Sequence, residues 1–455
     1  MGNQKQPYEG DKMTIGFGRS DITPRVGVEL SGFGPFVMRR SESIRDRLWA
    51  RAMAVEHGEQ KVILASLDLV GIHREIAQRI RQIVGEATGL SAEAVMIHCT
   101  HTHSGPNTGG YIGWGAPDEP YLEILPQRVA DACVRSLDNL QEAVLCHAEV
   151  PCQGIGQNRE YDRDGLPLEE VLEEGWRPNK PELTDTTCHV VKAMADGKMI
   201  GFFSYFGCHP VVCCAQTTAI HGDFCGVATN QIEREHPGSV GLFLQGAQGD
   251  VNTCVVHKPK QESMRALDLI AGRYANSVRE GLQQAEPIEV DAIRCALEDV
   301  TFPRKPFTFE KLQTMLAENE AILHAPDAND EDQGVRMAMV NTIALRQLIL
   351  KKEAGESLEP ATELHAIRLG PIAFLGSGFE IFQSTKNEIC AETKSPLTLV
   401  MGLTNDTVGY APDPTAAERG GYAADTVPLI VCALPHVNVH EEVIKRFVEL
   451  EAKLH

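Results

Sequence analysis

The sequence predicts an α/β protein built on a large mixed sheet flanked by helices, with a helical insertion near residues 305–356. Three observations carry this expectation. Apolar runs of strand length alternate with longer amphipathic stretches, no repeat or Pro/Gly/Ser-rich linker breaks the alternation, and residues 307–356 read as helix after helix.

Taken in order, residues 1–12 (MGNQKQPYEGDK) are polar and are expected to be a flexible segment before a folded unit over 13–455. KVILASLDLVG is a strand, and in HREIAQRIRQIVGEATG the residues Ile76, Ile80 and Val84 recur at helical spacing. AVMIHCTH then returns to strand. MIGFFSYFGCHP, SVGLFLQGAQGD, GPIAFLGSGFE and LTLVMGLTND read as further buried strands, with CGVATNQIEREH, SMRALDLIAGRYANSVREGLQ and EIFQSTKNEICAET as helices beside them. The insertion holds EKLQTMLAENEAIL and MAMVNTIALRQLILKKEA, split by the polar turn APDANDEDQG, and HEEVIKRFVELEAKL closes the fold.

Composition narrows the function. Among 455 residues, 43% are apolar and 23% charged, as in globular proteins. The 42 basic and 63 acidic residues leave a formal charge of -21, which repels phosphate backbones and anionic headgroups, so nucleic acid is not an expected partner. No run of about eighteen apolar residues occurs, so no stable membrane insertion is expected. The N-terminus lacks the apolar core of a signal peptide. Thirteen cysteines, an odd and scattered set, suggest reduced thiols and a cytoplasmic location. The oligomeric state stays open.

The chemistry gathers at strand ends. In MIHCTHTHSGP, residues two apart in an extended chain face the same way, so His101 and His103 would offer two imidazoles to one point. Zinc takes about four N, O or S donors at roughly 2.0–2.3 Å, and a His-x-His pair can supply nitrogens; histidines held by loop hydrogen bonds are the other reading. His209 before Pro210, Glu380 after a glycine-rich turn, the group Asp250, Asn252 and Thr253, and the group Asn405, Asp406 and Tyr410 also follow apolar runs. Ligands bind outside the carboxyl ends of α/β strands, so these ends predict one polar, metal-holding site. Asp223 is either a helix cap or a site residue beside His221. Cys208, Cys213, Cys214 and Cys225 are expected to be buried thiols rather than a second metal site. His98 and Cys99 are assigned to packing, and Asp68 to a hydrogen bond with a ligand histidine.

The ordered segments IGFGRSDITPRVGVELSGFG, RLWARAMAVE, ILASLDLVG, THTHSGP, GQNRE, FGCHP and QGDVN, with a closing tyrosine pair, resemble the catalytic domain of the neutral ceramidase family over residues 16–422. THTHSGP is the most specific of them. The resemblance implies that Zn2+ is held by His101, His209, Glu380 and Tyr410. It also implies active-site roles for His103, for Arg159 of the "NR" pair, and for Tyr422, which follows Tyr410 at the family's spacing.

This sequence departs from the family at two points. Where the family reads Gly-Asp-Val-Ser-Pro-Asn, it has Gly249, Asp250, Val251, Asn252, Thr253 and Cys254. Asparagine cannot form an acyl intermediate; Asn252 is assigned instead to hydrogen bonding at the reacting carbonyl, with Asp250 and Thr253 in substrate binding. The family also continues into an immunoglobulin-like domain, whereas this sequence ends after the catalytic part, which points to a small soluble N-acyl substrate. The implied function is a zinc-dependent hydrolase cleaving an amide bond by metal-activated water, with His103 as proton shuttle and with Tyr422, Arg159 and the metal stabilising the oxyanion. A zinc esterase and a catalytically silent metal- or ligand-binding homologue are the alternatives.

Overall fold

The computed structural model describes residues 13–161 and 166–455; the segment expected to be flexible, 1–12, lies outside them. The expected α/β fold with mixed sheets forms, and its strands are distributed over three principal sheets.

Each principal sheet contains one parallel strand–helix–strand unit. In the first, strand Gln60–Leu67 buries its last six residues, as a strand covered on both faces should. Helix Arg74–Thr88 turns Ala77, Ile80 and Val84 inward, and Gly89, at φ 77°, ends it by donating its N–H to the Gly85 carbonyl. Strand Val95–Cys99 then returns parallel to the first. The second unit is Lys198–Phe206, helix Asp223–Glu235 and Val240–Gln245. The third is Ile372–Ser377, helix Gln383–Glu392 and Leu397–Met401.

Antiparallel strands widen each unit. Trp49–His57 and Thr14–Asp21 extend the first sheet, Thr187–Ala195 and Val144–Pro151 the second, and Ala361–Leu369 and Ile293–Thr301 the third. One apolar core joins all three, drawing Phe17, Met96, Phe203, Leu242, Ile367 and Phe374 from the different sheets. The outer faces carry the helices: Val84 and Val129 pack on the first sheet, Phe224 and Tyr274 on the second, Ile389 and Phe447 on the third.

Helix Glu119–Asp138 contains Pro126, a local signal for a break rather than a helix. It lies against the backbone of Thr14–Asp21, where a Cβ on Gly18 would meet the Ala132 carbonyl at 2.3 Å. In the insertion, Phe309–Leu323 begins at Thr308, whose hydroxyl accepts from the Lys311 amide, and Gln333–Glu353 follows. Their buried Leu312, Leu345 and Leu348 pack with Leu429 and Leu434.

Candidate metal centre

The carboxyl ends of the three parallel pairs converge, and each unit delivers its polar residues there. After Cys99 the chain turns. The Thr100 and His101 amides donate to the Leu67 and Leu69 carbonyls, and His101 takes φ 72°, so it is not extended. His101 and His103 do converge, with Nε2 atoms 3.2 Å apart, but a left-handed turn brings them together rather than strand alternation. The glycine of SGFG serves this turn: a Cβ on Gly32, which has φ 97°, would meet His103 Nδ1 at 2.5 Å. The buried Arg39 donates to the carbonyls of Ser31, His103 and Thr217, fixing the loop from below.

The second unit places His209 just beyond Phe206, with its amide on the Val251 carbonyl. From the third unit, short strand Phe379–Ile381 runs parallel to Gly409–Ala411 with Glu380 beside Tyr410, so the two side chains share a face. Glu380 Oε2 lies 2.8 Å from His209 Nε2 and 3.4 Å from His101 Nε2, and the Tyr410 hydroxyl is 3.4 Å from His209 Nε2. All four residues are buried. Donors about 2.1 Å from a tetrahedral ion lie roughly 3.4 Å apart, so the set is close to that of a four-coordinate site.

Ring orientation tests the fit. His101 Nδ1 is 2.5 Å from the Val70 carbonyl and His209 Nδ1 is 2.6 Å from the Gln248 carbonyl. A carbonyl only accepts, so each Nδ1 carries the hydrogen and each Nε2 presents a lone pair to the centre. Burial lowers His209 to about 4, helped by Arg159, and burial with the neighbouring imidazoles holds His103 well below its usual value. Neutral imidazoles around a carboxylate are what a divalent ion requires.

Cys213, His221 and Asp223 form a second buried group with the ligand types for a metal. There the ring is set the other way. The Asp223 amide donates to His221 Nδ1 at 3.0 Å, so the hydrogen sits on Nε2, which points at Cys213 Sγ 3.4 Å away. That nitrogen has no lone pair to give. The thiols at 208, 213, 214 and 225 are buried, as expected, and all thirteen cysteines are unpaired.

A cavity of about 590 Å³ opens over the centre. His103, Arg159, Asn252 and Tyr422, expected from the sequence to be catalytic groups, line it. Arg159 donates to Asn252 Oδ1 at 3.2 Å and to the Gly249 carbonyl at 2.7 Å, and its guanidinium stacks over Tyr410 and Tyr422. Asp250 and Thr253, expected to bind substrate, do not reach the cavity. Asp250 is buried, accepting from Asn158 and from the Gln383 amide, and Thr253 donates its hydroxyl to the Val255 carbonyl. They hold the short strand Val251–Thr253 that carries Asn252. Asp68, expected against a ligand histidine, instead accepts from Arg51 and the Trp49 amide. Phe33, Trp114, His257, Gln333 and Arg419 also line the cavity; only Phe33, inside SGFG, had a signal in the sequence.

Residues 13–262 match the family model of neutral/alkaline non-lysosomal ceramidases, N-terminal part. A neutral ceramidase of Pseudomonas aeruginosa is 24% identical over 265 residues, 54% of this chain and 38% of that protein, so the chain spans well under half of its length in that match. The crystal structure of neutral ceramidase from Pseudomonas aeruginosa superposes with a TM-score of 0.73 at 18% identity, covering 98% of this chain and 75% of that one. A ceramidase solved in complex with C2 gives 0.75 at 17% identity with the same coverage.

Proposed function

Because this chain belongs to the neutral/alkaline non-lysosomal ceramidase family, we propose that it is a zinc-dependent hydrolase of an amide bond in a small N-acyl compound. The observation that carries this reading is the pair of Nε2 lone pairs on His101 and His209, fixed by backbone carbonyls and converging on Glu380 beside Tyr410. Zinc held by these four would polarise a carbonyl and lower the pKa of water from about 15.7 toward about 7.

The chain's own groups supply the rest. His103, kept neutral at the cavity wall, takes a proton and returns it to the leaving nitrogen. Arg159 and the Tyr422 phenol face the space where charge develops on the carbonyl oxygen. Asp250 and Thr253 act through the strand Val251–Thr253 that they hold. We assign the whole unit 13–455 to this activity, with the helical hairpin at one edge: Val340 packs with Trp114 and Tyr410. Thirteen unpaired cysteines support a reducing, cytoplasmic location, and no helix of the described residues is long and apolar enough to cross a membrane.

A panel of short and long N-acyl and O-acyl chromogenic compounds, run before and after chelation with zinc restored, tests the proposal. Amide cleavage lost to chelator and regained with zinc supports it. Esters cleaved with amides untouched would move the assignment to a zinc esterase, and zinc binding without turnover of any of them to a silent homologue.

A further inference from the structure

In the hairpin of helices Phe309–Leu323 and Gln333–Glu353, the second helix is apolar on more sides than the fold covers. Two sides are buried, one through Ala338, Thr342 and Leu345 and the other through Val340, Ala344 and Leu348. The third side is open. Val335, Met339, Ile343, Arg346 and Leu350 follow one another at steps of four, four, three and four residues, so they form a single line along the helix. Leu350 is 62% exposed and Met339 38%, and Ile322 on the neighbouring helix is 47% exposed. A helix apolar all round belongs in an interior, and a line at this spacing is the seam by which helices pair. The neighbouring helix leaves the small side chains of Thr314, Ala317 and Ala321 exposed, which lets another helix approach closely.

The occupant of this line follows from charge. The helix carries Arg336, Arg346, Lys351 and Lys352 against one acidic residue, Glu353, with the two lysines in its last turn. The turn leading into the helix is exposed and acidic, with Asp327, Asp330, Glu331 and Asp332. A partner must therefore be basic at one end and acidic at the other. A second copy of the same helix, reversed, is both, and reversal also opposes the helix dipoles. We infer that two copies of this chain associate about a two-fold axis through the exposed line of Gln333–Glu353. An axis midway between Ile343 and Arg346 lies equally far along the helix from Met339 and Leu350, so Met339 of each copy meets Leu350 of the other. The acidic turn of each copy then flanks Lys351 and Lys352 of the other, outside the apolar seam. Arg346 stays beside the seam, paired with Glu320 of its own copy at 2.7 Å. A helix of 21 residues is ~31 Å long. A face two helices wide then covers roughly 600 Å² per copy, ~1,200 Å² in total, which reaches the lower range of specific interfaces.

Sedimentation velocity of the full chain over a range of micromolar concentrations tests the inference. The unmodified chain is expected to be a dimer. Met339→Glu combined with Leu350→Glu is expected to raise its dissociation constant at least about 30-fold, the effect of losing a hot spot, with near-ultraviolet circular dichroism unchanged. Mild oxidation followed by peptide mapping tests the geometry separately. Ile343→Cys, beside the axis, is expected to form a disulfide with the same position of the second copy. Leu350→Cys alone is not, but mixed with Met339→Cys it is expected to link the two positions. A chain that sediments as a monomer throughout, or a dimer unaffected by the two glutamates, would overturn the inference. So would a disulfide joining Leu350→Cys to itself, since the two helices would then run in the same direction.

Discussion

His101 and His221 are chemically the same residue and both are buried, yet they have opposite capacities because one ring nitrogen faces a carbonyl in the first and an amide in the second. Sequence spacing brought attention to both but could not orient either ring, since the partners Val70 and Asp223 are fixed only by the folded backbone. The identities at the centre were legible: His101, His209, Glu380 and Tyr410 meet. The engagement of Asp250 and Thr253 was not, because their partners Asn158, Gln383 and Val255 are set by loop geometry. The role given to His103 predicts that His103→Gln lowers kcat about 10²- to 10⁴-fold while bound zinc is unchanged. Loss of zinc together with activity would make His103 a ligand instead.

At the scale of elements, the parallel strands announced themselves because strands buried on both faces read as continuous apolar runs. The antiparallel strands did not: Ile293–Thr301 alternates only weakly and fully buries just Ile293 and Val300. Helix Glu119–Asp138 was hidden by Pro126. What locks neighbouring units together was equally invisible. Arg51 donates to Asp68 of the first unit at 2.9 Å and to Glu233 of the second unit's helix at 3.0 Å, with all three side chains buried. Removing one partner of a buried ion pair strands the other charge, so Arg51→Ala is expected to cost about 3–5 kcal/mol in denaturant unfolding. A change under about 1 kcal/mol, the worth of a surface pair, would mean the network does not couple the units.

Across the whole molecule, three strand–helix–strand units point their carboxyl ends at one place, and that convergence turns scattered sequence motifs into a site. The sequence showed the class of fold and the strand ends, but not the division into three sheets, which depends on which apolar faces meet in the shared core. Burial also sets a pH response. It raises Asp223 to about 6, against three backbone hydrogen bonds that pull the other way. Between the ordinary carboxyl range and about pH 6 the folded state therefore binds more protons than the unfolded one, and this group's contribution falls as pH rises through that window. Relative to Asp223→Asn, the unmodified chain is expected to lose on the order of 3 kcal/mol of stability between pH 4 and 7 by chemical unfolding; parallel pH profiles would contradict this. The proposed zinc belongs to the His101 centre and not to the His221 group. The most direct test is metal analysis of the purified chain beside His101→Ala and His221→Ala. About one zinc per chain is expected, absent from His101→Ala and retained in His221→Ala. Zinc kept in His101→Ala and lost from His221→Ala would contradict it.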